Sequence, residues 1–160
     1  MKSPTLYMET TAIPPLKTAG EITELLVRAG ATQIGTEFDN GRISGLRFSI
    51  PVKGLPGAYS YKLPVRIEPV FKLLNGRRPE ESWKRGNQTD WADRDHEQAE
   101  RVAWRQLLRW IQAQLAMIET GMAETPEVFL PYMQAESGQS MYQLFQAHAF
   151  KILEAPTQQD

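Results

Sequence analysis

The stretch Thr32–Ile50, TQIGTEFDNGRISGLRFSI, decides the fold. Both of its halves alternate their side chains with a period of two, which is typical of β-strands. The Asn40-Gly41 pair between the halves favours a two-residue hairpin turn, because both residue types readily adopt positive φ angles. We therefore predict an antiparallel hairpin. The inward-facing residues of its return strand are predicted to be Leu46, Phe48 and Ile50.

The segments on either side of this hairpin predict one helix and two further strands. Leu6–Thr11 has the pattern of a short strand. Thr18 and Glu21 have the spacing of a capping box, so a helix is expected to begin at Thr18 and to end at Gly30. Tyr59–Ile67 repeats the period of two after the hairpin. Together with the hairpin, this last segment predicts a three-stranded antiparallel meander.

The second half of the chain is predicted to be helical. Pro69–Leu74 has the pattern of a short helix, and Asp90–Thr120 that of a long one. Thr125 precedes a proline, and Ser140 has a glutamine three residues later, so each is expected to cap a further helix. The apolar residues that recur every three or four positions on the long helix are Trp104, Leu108, Ile111, Leu115, Ile118 and Met122.

Length and composition fit one globular domain. The chain has 160 residues, of which 41% are hydrophobic and 23% are charged, as in folded domains of ordinary size. We predict a single α+β domain over residues 1–160. Its parts are an α/β portion at residues 1–74, a mobile basic loop at 75–89 and a helical portion at 90–155.

The chain lacks cysteine and long apolar segments. Without cysteine it has no disulfide and no thiolate chemistry, which suits a reducing compartment. Met1–Glu9 lacks the pattern of a signal peptide, and no stretch reaches the roughly 18 apolar residues of a transmembrane helix. We therefore expect a cytoplasmic protein with no membrane partner.

Positive charge is concentrated in the middle of the chain. Residues 42–85 carry ten Lys and Arg against three Asp and Glu, although the whole chain has a net charge of −1. Basic side chains of the second and third predicted strands share the sheet face opposite the core, and the following loop adds more. Such a surface can bind the phosphates of nucleic acid, with a tryptophan stacking on a base. The predicted contacts are Arg47, Lys62, Arg66, Lys72, Arg77, Arg78, Trp83, Lys84 and Arg85.

The first functional hypothesis is therefore a non-enzymatic nucleic-acid-binding protein, with DNA or RNA and single or double strands left open. A simpler interpretation is that the basic face is only solvated and is partly neutralised by the acidic C-terminal half, because residues 86–160 sum to −6. The predicted basic sheet face also lacks the exposed aromatic rings of sheet-based RNA readers.

The helical half offers an alternative function as a protein-interaction module or inhibitor, which includes self-association into a homo-oligomer. Three arginines recur every four residues on the long helix, and this stripe either contacts an acidic partner or keeps the helix soluble. Apolar residues of the same half either anchor an interface or pack in the core. The residues predicted for a partner surface are Arg101, Arg105, Arg109, Trp110, Met117, Phe129, Tyr132 and Met133.

No motif predicts catalysis, a cofactor or a metal. The serine of Gly41–Gly45, GRISG, is one position late for a hydrolase nucleophile turn, and Gly54–Gly57 lacks the Lys-Ser/Thr of a phosphate-binding loop. An acidic cluster with His96 at residues 90–100 is the best metal candidate, but the dipole at the start of a helix explains acidic residues there. His148 lies near two phenylalanines, which favours a packed histidine over a catalytic base.

Three segments carry a resemblance to known sequences. They are Ala29–Phe38 (AGATQIGTEF), Ala99–Trp110 (AERVAWRQLLRW) and Val128–Tyr132 (VFLPY). The chain resembles small uncharacterised proteins of phages, prophages and related mobile elements over most of its length. The resemblance brings no catalytic residues and no established activity. Small accessory proteins of such elements often bind nucleic acid or host proteins, so the resemblance implies the same two classes of function.

Overall fold

The computed structural model describes residues 6–77 and 88–148, and it confirms a mixed α+β fold with one long helix in its second half. The elements in chain order are α1 (Pro15–Arg28), β1 (Gln33–Asp39), β2 (Arg42–Pro51), β3 (Ala58–Lys62), α2 (Glu68–Gly76), α3 (Gln88–Glu119), α4 (Thr125–Phe129) and α5 (Met141–Ala147). A 3-10 turn at Leu130–Tyr132 follows α4 directly. Within the two described ranges, no helix is both long enough and apolar enough to cross a membrane.

The hairpin forms as predicted, and the sheet is an antiparallel meander in the order β1-β2-β3. Asn40 and Gly41 have φ angles of 48° and 76°, so both lie in the left-handed region that a tight hairpin turn requires. The register between β1 and β2 shifts at Glu37 and Phe38. Near this bulge the Phe38 side chain is 61% exposed, and the core of the sheet is formed mainly by β2 and β3.

The third strand is shorter than predicted. It ends at Lys62, whereas the sequence pattern continues to Ile67. Pro64 explains the early end, because proline has no N–H to continue the ladder of hydrogen bonds. Residues 63–67 instead lead directly into α2.

Residues from the C-terminal half cover the outer edge of β3. The backbone N–H of Gln134 donates to the carbonyl oxygen of Ser60 at 2.8 Å, and Met133 forms an isolated antiparallel bridge with Tyr61. This pairing brings the chain that follows α4 alongside the end of β3. Two regions that are far apart in sequence therefore become neighbours.

The prediction of a strand at Leu6–Thr11 is wrong, because this segment forms turns. The N–H of Glu9 donates to the Leu6 carbonyl oxygen at 2.9 Å, and Met8 has a φ of 65°, which is incompatible with an extended strand. The side-chain amide of Gln98 on α3 donates to the carbonyl oxygens of Glu9 and Thr11 at 2.7 and 2.9 Å. A long-range contact thus fixes the segment against the long helix.

The predicted start of α1 is also wrong. The helix begins at Pro15, three residues before Thr18, and the Thr18 side chain is buried. Glu21 does not close a capping box; its carboxylate binds Arg105 on α3. The predicted end is confirmed, since the helix stops at Arg28 and Gly30 follows with a φ of 95°.

The helices around the predicted loop extend into it from both sides. The end of α2 and the start of α3 include parts of the segment 75–89, and residues 78–87 lie outside the described residues.

Ser140 caps α5 as predicted, because its hydroxyl oxygen accepts from the Gln143 N–H at 3.2 Å and the Ser140 N–H donates back to Gln143 at 2.9 Å. For α4 the cap is Glu124, one residue before the predicted Thr125.

The core lies between one face of the sheet, α1 and α3. The long helix packs against both α1 and α2. Trp104 is fully buried, as its spacing predicts, whereas Met122 is exposed because α3 has already ended. The largest fully buried apolar side chains are Trp104, Tyr61, Phe48, Phe129, Ile22, Leu26, Leu46, Leu63, Leu108, Ile111 and Val102.

Candidate nucleic-acid interface

Arg47 and Lys62 lie side by side on the outer face of the sheet, and one carboxylate binds both. The two residues are directly paired in the register of β2 and β3. Glu37 on β1 accepts from Arg47 Nε at 2.6 Å through one oxygen and lies 2.9 Å from Lys62 Nζ through the other. The hydrogen bond from the Lys62 ammonium, helped by the charge of Arg47, holds the pKa of the Glu37 carboxyl below its ordinary value.

The sheet has room for Glu37 at this position because its cross-strand partner on β2 is Gly45. A Cβ at Gly45 would stand 2.9 Å from a carboxylate oxygen of Glu37, closer than ordinary packing allows. The missing side chain therefore lets the carboxylate reach over β2 to the two cations. The single negative charge of Glu37 therefore neutralises half of the positive charge of Arg47 and Lys62.

Two other predicted phosphate contacts also have carboxylate partners. Lys72 on α2 lies 3.7 Å from Glu68 one turn earlier, and both side chains are exposed. Arg77, just after α2, lies 3.5 Å from a carboxylate oxygen of Glu9 in the N-terminal turns. The carboxylates that pair with these four cations, Glu37, Glu68 and Glu9, all lie in the N-terminal half. Arg42 of the same basic segment is instead paired with Glu100 of the acidic C-terminal half, as the simpler interpretation of the charge pattern expects.

Arg66 differs from these four residues. It is exposed on the chain between β3 and α2, and it forms no ion pair or hydrogen bond within the described ranges 6–77 and 88–148. The other predicted contacts, Arg78, Trp83, Lys84 and Arg85, lie outside the described residues, so their role stays a prediction. Among the predicted phosphate contacts that the structure describes, Arg66 is therefore the one whose charge no carboxylate neutralises.

Arg66 and Lys62 line a groove that the sequence did not predict. One wall is the segment 62–66, and the other is formed by residues 131–143 of the C-terminal half. The cavity has a volume of about 820 Å³. We call it the basic groove. The polar residues that line it are Ser44, Lys62, Arg66, Tyr132, Gln134, Ser140, Tyr142 and Gln143.

A smaller recess of about 260 Å³ continues the basic groove towards α3. The two cavities share Pro64, Arg66 and Tyr132, and Trp110 lines the smaller one. The Trp110 ring makes edge-to-face contacts with Tyr132 at 5.4 Å and with the fully buried Phe129 at 5.7 Å. A packed series of aromatic rings therefore links the core to the groove and fixes the position of Tyr132.

The residues predicted for a partner surface do not form one surface. Phe129 and Arg105 are buried, so both are corrected from partner contacts to internal residues. Phe129 fills the space between the sheet and α3, and Arg105 binds both carboxylate oxygens of Glu21 at 2.9 Å. Arg101 lies near Glu97 and Arg109 hydrogen-bonds Gln112, so these two belong to local contacts on α3.

The remaining members of that set divide between two places. Trp110 and Tyr132 lie in the recesses already described, and Met133 is half-buried beside β3. Met117 is exposed on α3. An apolar groove of about 500 Å³ lies at the C-terminal helices and shares two residues, Pro131 and Tyr142, with the basic groove. Its lining residues are Leu130, Pro131, Met141, Tyr142, Leu144, Phe145 and His148.

The acidic cluster at the start of α3 contacts an arginine. Arg42 Nη1 lies 3.1 Å from Glu100 Oε1 and 3.3 Å from His96 Nδ1. The hydrogen bond to Glu100 raises the pKa of Arg42 further above its ordinary value. Among the described residues, no group of three or more His, Cys, Asp or Glu has the geometry of a metal site.

The sequence reasoning missed two residues that shape the candidate site. Glu37 was detectable in part, since the Asn40-Gly41 turn fixes which residues of β1 and β2 face each other, but the bulge changes that register. Tyr142 lies in the first turn of the helix that Ser140 caps, and no local pattern places it near Arg66.

No known protein family, no curated protein and no solved structure matches the chain.

Proposed function

We propose that the protein is a non-enzymatic nucleic-acid-binding accessory protein of a phage or related mobile element, with its phosphate contacts centred on the basic groove. The observation that carries the proposal is that Arg66 and Lys62 share one recess with the rings of Tyr132 and Tyr142. Cations attract phosphates whatever the base sequence, and aromatic rings stack on bases, so this combination is typical of nucleic-acid sites.

Arg66 is the central residue of the proposed site. Because it has no carboxylate partner in the described part of the chain, a phosphate would displace only water from its guanidinium. Lys62 shares Glu37 with Arg47, and Lys72 and Arg77 have their own carboxylates. We therefore expect Arg66 to contribute most to binding and the paired cations to contribute less.

A charge reversal at Arg66 tests the proposal against a matched control. Lys53 is an exposed basic residue in the β2–β3 loop that does not line the basic groove. Arg66→Glu and Lys53→Glu change the net charge equally. We expect Arg66→Glu to weaken nucleic-acid binding by about tenfold. It should also reduce the slope of log affinity against log salt by about one for the lost phosphate contact, while Lys53→Glu should have a small effect.

Fluorescence anisotropy with labelled single-stranded DNA, duplex DNA and RNA measures these affinities, each at about 50 and 200 mM salt. Thermal unfolding of both variants checks that the fold is intact. Equal effects of the two substitutions would place binding outside the groove. If the wild-type protein binds none of the three nucleic acids at the lower salt, the proposed function is wrong.

The apolar groove favours a second candidate function, self-association of two copies of this chain. Apart from Tyr142 and His148, the lining side chains carry no polar group, and homodimer interfaces are more apolar than transient ones. Leu130, Met141 and Tyr142 are all substantially exposed there. Sedimentation equilibrium of the wild-type protein and of Leu130→Glu tests this: a dimer that the substitution dissociates supports it, and a monomeric wild type refutes it.

A further inference from the structure

We infer that the basic groove takes an unpaired strand, with one base stacked on the ring of Tyr142 and its phosphate beside Arg66. This inference rests on the proposed function and names the form of nucleic acid that the same site would bind. Three observations support it: the concave shape of the site, the two tyrosine rings that line it and the small number of cations in it.

The concave shape of the site favours a single strand over a duplex. Proteins that read duplex DNA insert a protruding helix or strand pair into a groove about 12 Å wide. In this protein Lys62 and Arg66 lie in a recess between the segment 62–66 and residues 131–143. A paired base inside a helix cannot enter such a recess, whereas a base without a partner can turn into it.

The aromatic rings give the recess a surface for a base. Tyr132 is held edge-to-face by Trp110 at an interplanar angle of 79°, so little side-chain freedom is left to lose on binding. Tyr142 lies in the first turn of α5 and is 48% exposed, so part of its side chain is accessible to a ligand. Stacking accepts any base, because every base has a π face.

The number of cations that line the groove predicts a weak salt dependence. For single strands, the slope of log affinity against log salt is about −0.7 per neutralised phosphate. With Lys62 and Arg66 as the two contacts, raising the salt from about 50 to 200 mM should weaken binding only about sevenfold. The set predicted from the sequence contains eight Lys and Arg residues besides Trp83. If all eight contacted phosphates, the same change in salt would weaken binding by about three orders of magnitude.

The experiment compares a labelled single strand with a hairpin duplex that has the same number of phosphates, using wild type, Tyr142→Ala and Tyr142→Phe. Tyr7→Ala is the matched control, because Tyr7 is an exposed tyrosine that does not line the groove. We expect the single strand to bind at least tenfold more tightly than the duplex. Tyr142→Ala should weaken single-strand binding by about tenfold, whereas Tyr142→Phe and Tyr7→Ala should not.

The outcomes separate this inference from the proposed function. If single strand and duplex bind equally well, or if Tyr142→Ala binds like the wild type, the inference is overturned, while an effect of Arg66→Glu would still support the function. If neither probe binds, both fail. Tyr142→Leu keeps an apolar side chain without a ring, and it replaces the alanine variant if that variant unfolds.

Discussion

The substitution Glu37→Gln should weaken the fold and strengthen nucleic-acid binding at the same time. Its carboxylate accepts from Arg47 and lies 2.9 Å from the Lys62 ammonium, so one negative charge is shared between two cations on the outer face of the sheet. Glutamine keeps the shape of the side chain and removes the charge. The two effects have opposite signs because the same carboxylate stabilises the sheet and competes with phosphate.

The expected loss of stability is small. The side chains of Arg47 and Lys62 are 52% and 43% exposed, and ion pairs as exposed as these contribute about 0.5 kcal/mol each. Glu37→Gln should therefore lower the free energy of unfolding by about 0.5–1 kcal/mol at pH 7. Because the pKa of Glu37 is below its ordinary value of 4.5 in the folded protein, this stabilisation is complete above that pH and is lost as the pH falls through the lowered pKa.

The expected gain in binding follows from the same charge. Removing it frees about one unit of positive charge beside the basic groove, which steepens the slope of log affinity against log salt by about 0.7 for a single strand. At low salt the affinity should rise about two- to fivefold, which corresponds to about 0.4–1 kcal/mol, the range of exposed ion pairs.

Urea denaturation measures the first effect and fluorescence anisotropy the second. Glu24→Gln is the control, because Glu24 forms an exposed ion pair with Arg28 on α1 and its substitution changes the net charge by the same amount. If both variants raise the affinity equally, overall charge and not the local pair explains the gain. If Glu37→Gln leaves the affinity and its salt dependence unchanged, Arg47 and Lys62 are not part of a phosphate-binding surface and the reasoning is refuted.

Two further predictions concern the stability of the core. The Tyr61 hydroxyl is buried without a hydrogen-bond partner in the described part of the chain, so Tyr61→Phe should raise the free energy of unfolding by about 1 kcal/mol in urea denaturation, against a smaller change for Tyr59→Phe. Burial raises the pKa of Tyr61, so the wild type should lose stability relative to the variant as the pH rises above the ordinary value of 10.0. Glu21→Ala leaves the Arg105 guanidinium buried without its counter-charge and should lower the free energy of unfolding by about 3 kcal/mol in the same assay. Adding Arg105→Met should restore most of this loss. A double variant that is no more stable than Glu21→Ala alone would contradict this account.

The sequence predicted those parts of the fold that depend on neighbouring residues. The Asn40-Gly41 turn follows from the φ angles that two adjacent residues tolerate. The start of α5 follows from reciprocal hydrogen bonds between Ser140 and Gln143, three residues apart. The burial of Trp104 follows from the helical period. In each case the deciding interaction lies within about one turn of the chain.

Predictions failed where a distant residue competes for a local signal. Glu21 has the spacing of a capping residue, but the buried guanidinium of Arg105 offers a stronger, charged partner. The N-terminal segment has the alternation of a strand, but Gln98 takes the carbonyl oxygens of Glu9 and Thr11 that a neighbouring strand would need. Neither partner can be found from local periodicity.

The sequence predicted only the basic residues of the candidate site. Arg66 and Lys62 belong to the basic set expected from the sequence, whereas Tyr132 was expected in a partner surface and Tyr142 in no site at all. These residues meet only because residues 131–143 pack beside the end of β3. No short sequence pattern predicts this contact, because it depends on the path of the chain through α2, α3 and α4.

The cover over the outer edge of β3 has a consequence for synthesis on the ribosome. Gln134, which bonds to Ser60, is made roughly 75 residues after it, and at about 5–20 residues per second this takes about 4–15 s. During that interval the nascent meander presents an unpaired strand edge to other chains. The meander is therefore most open to misassembly before the C-terminal half has been translated, and chaperone binding at that stage would protect it.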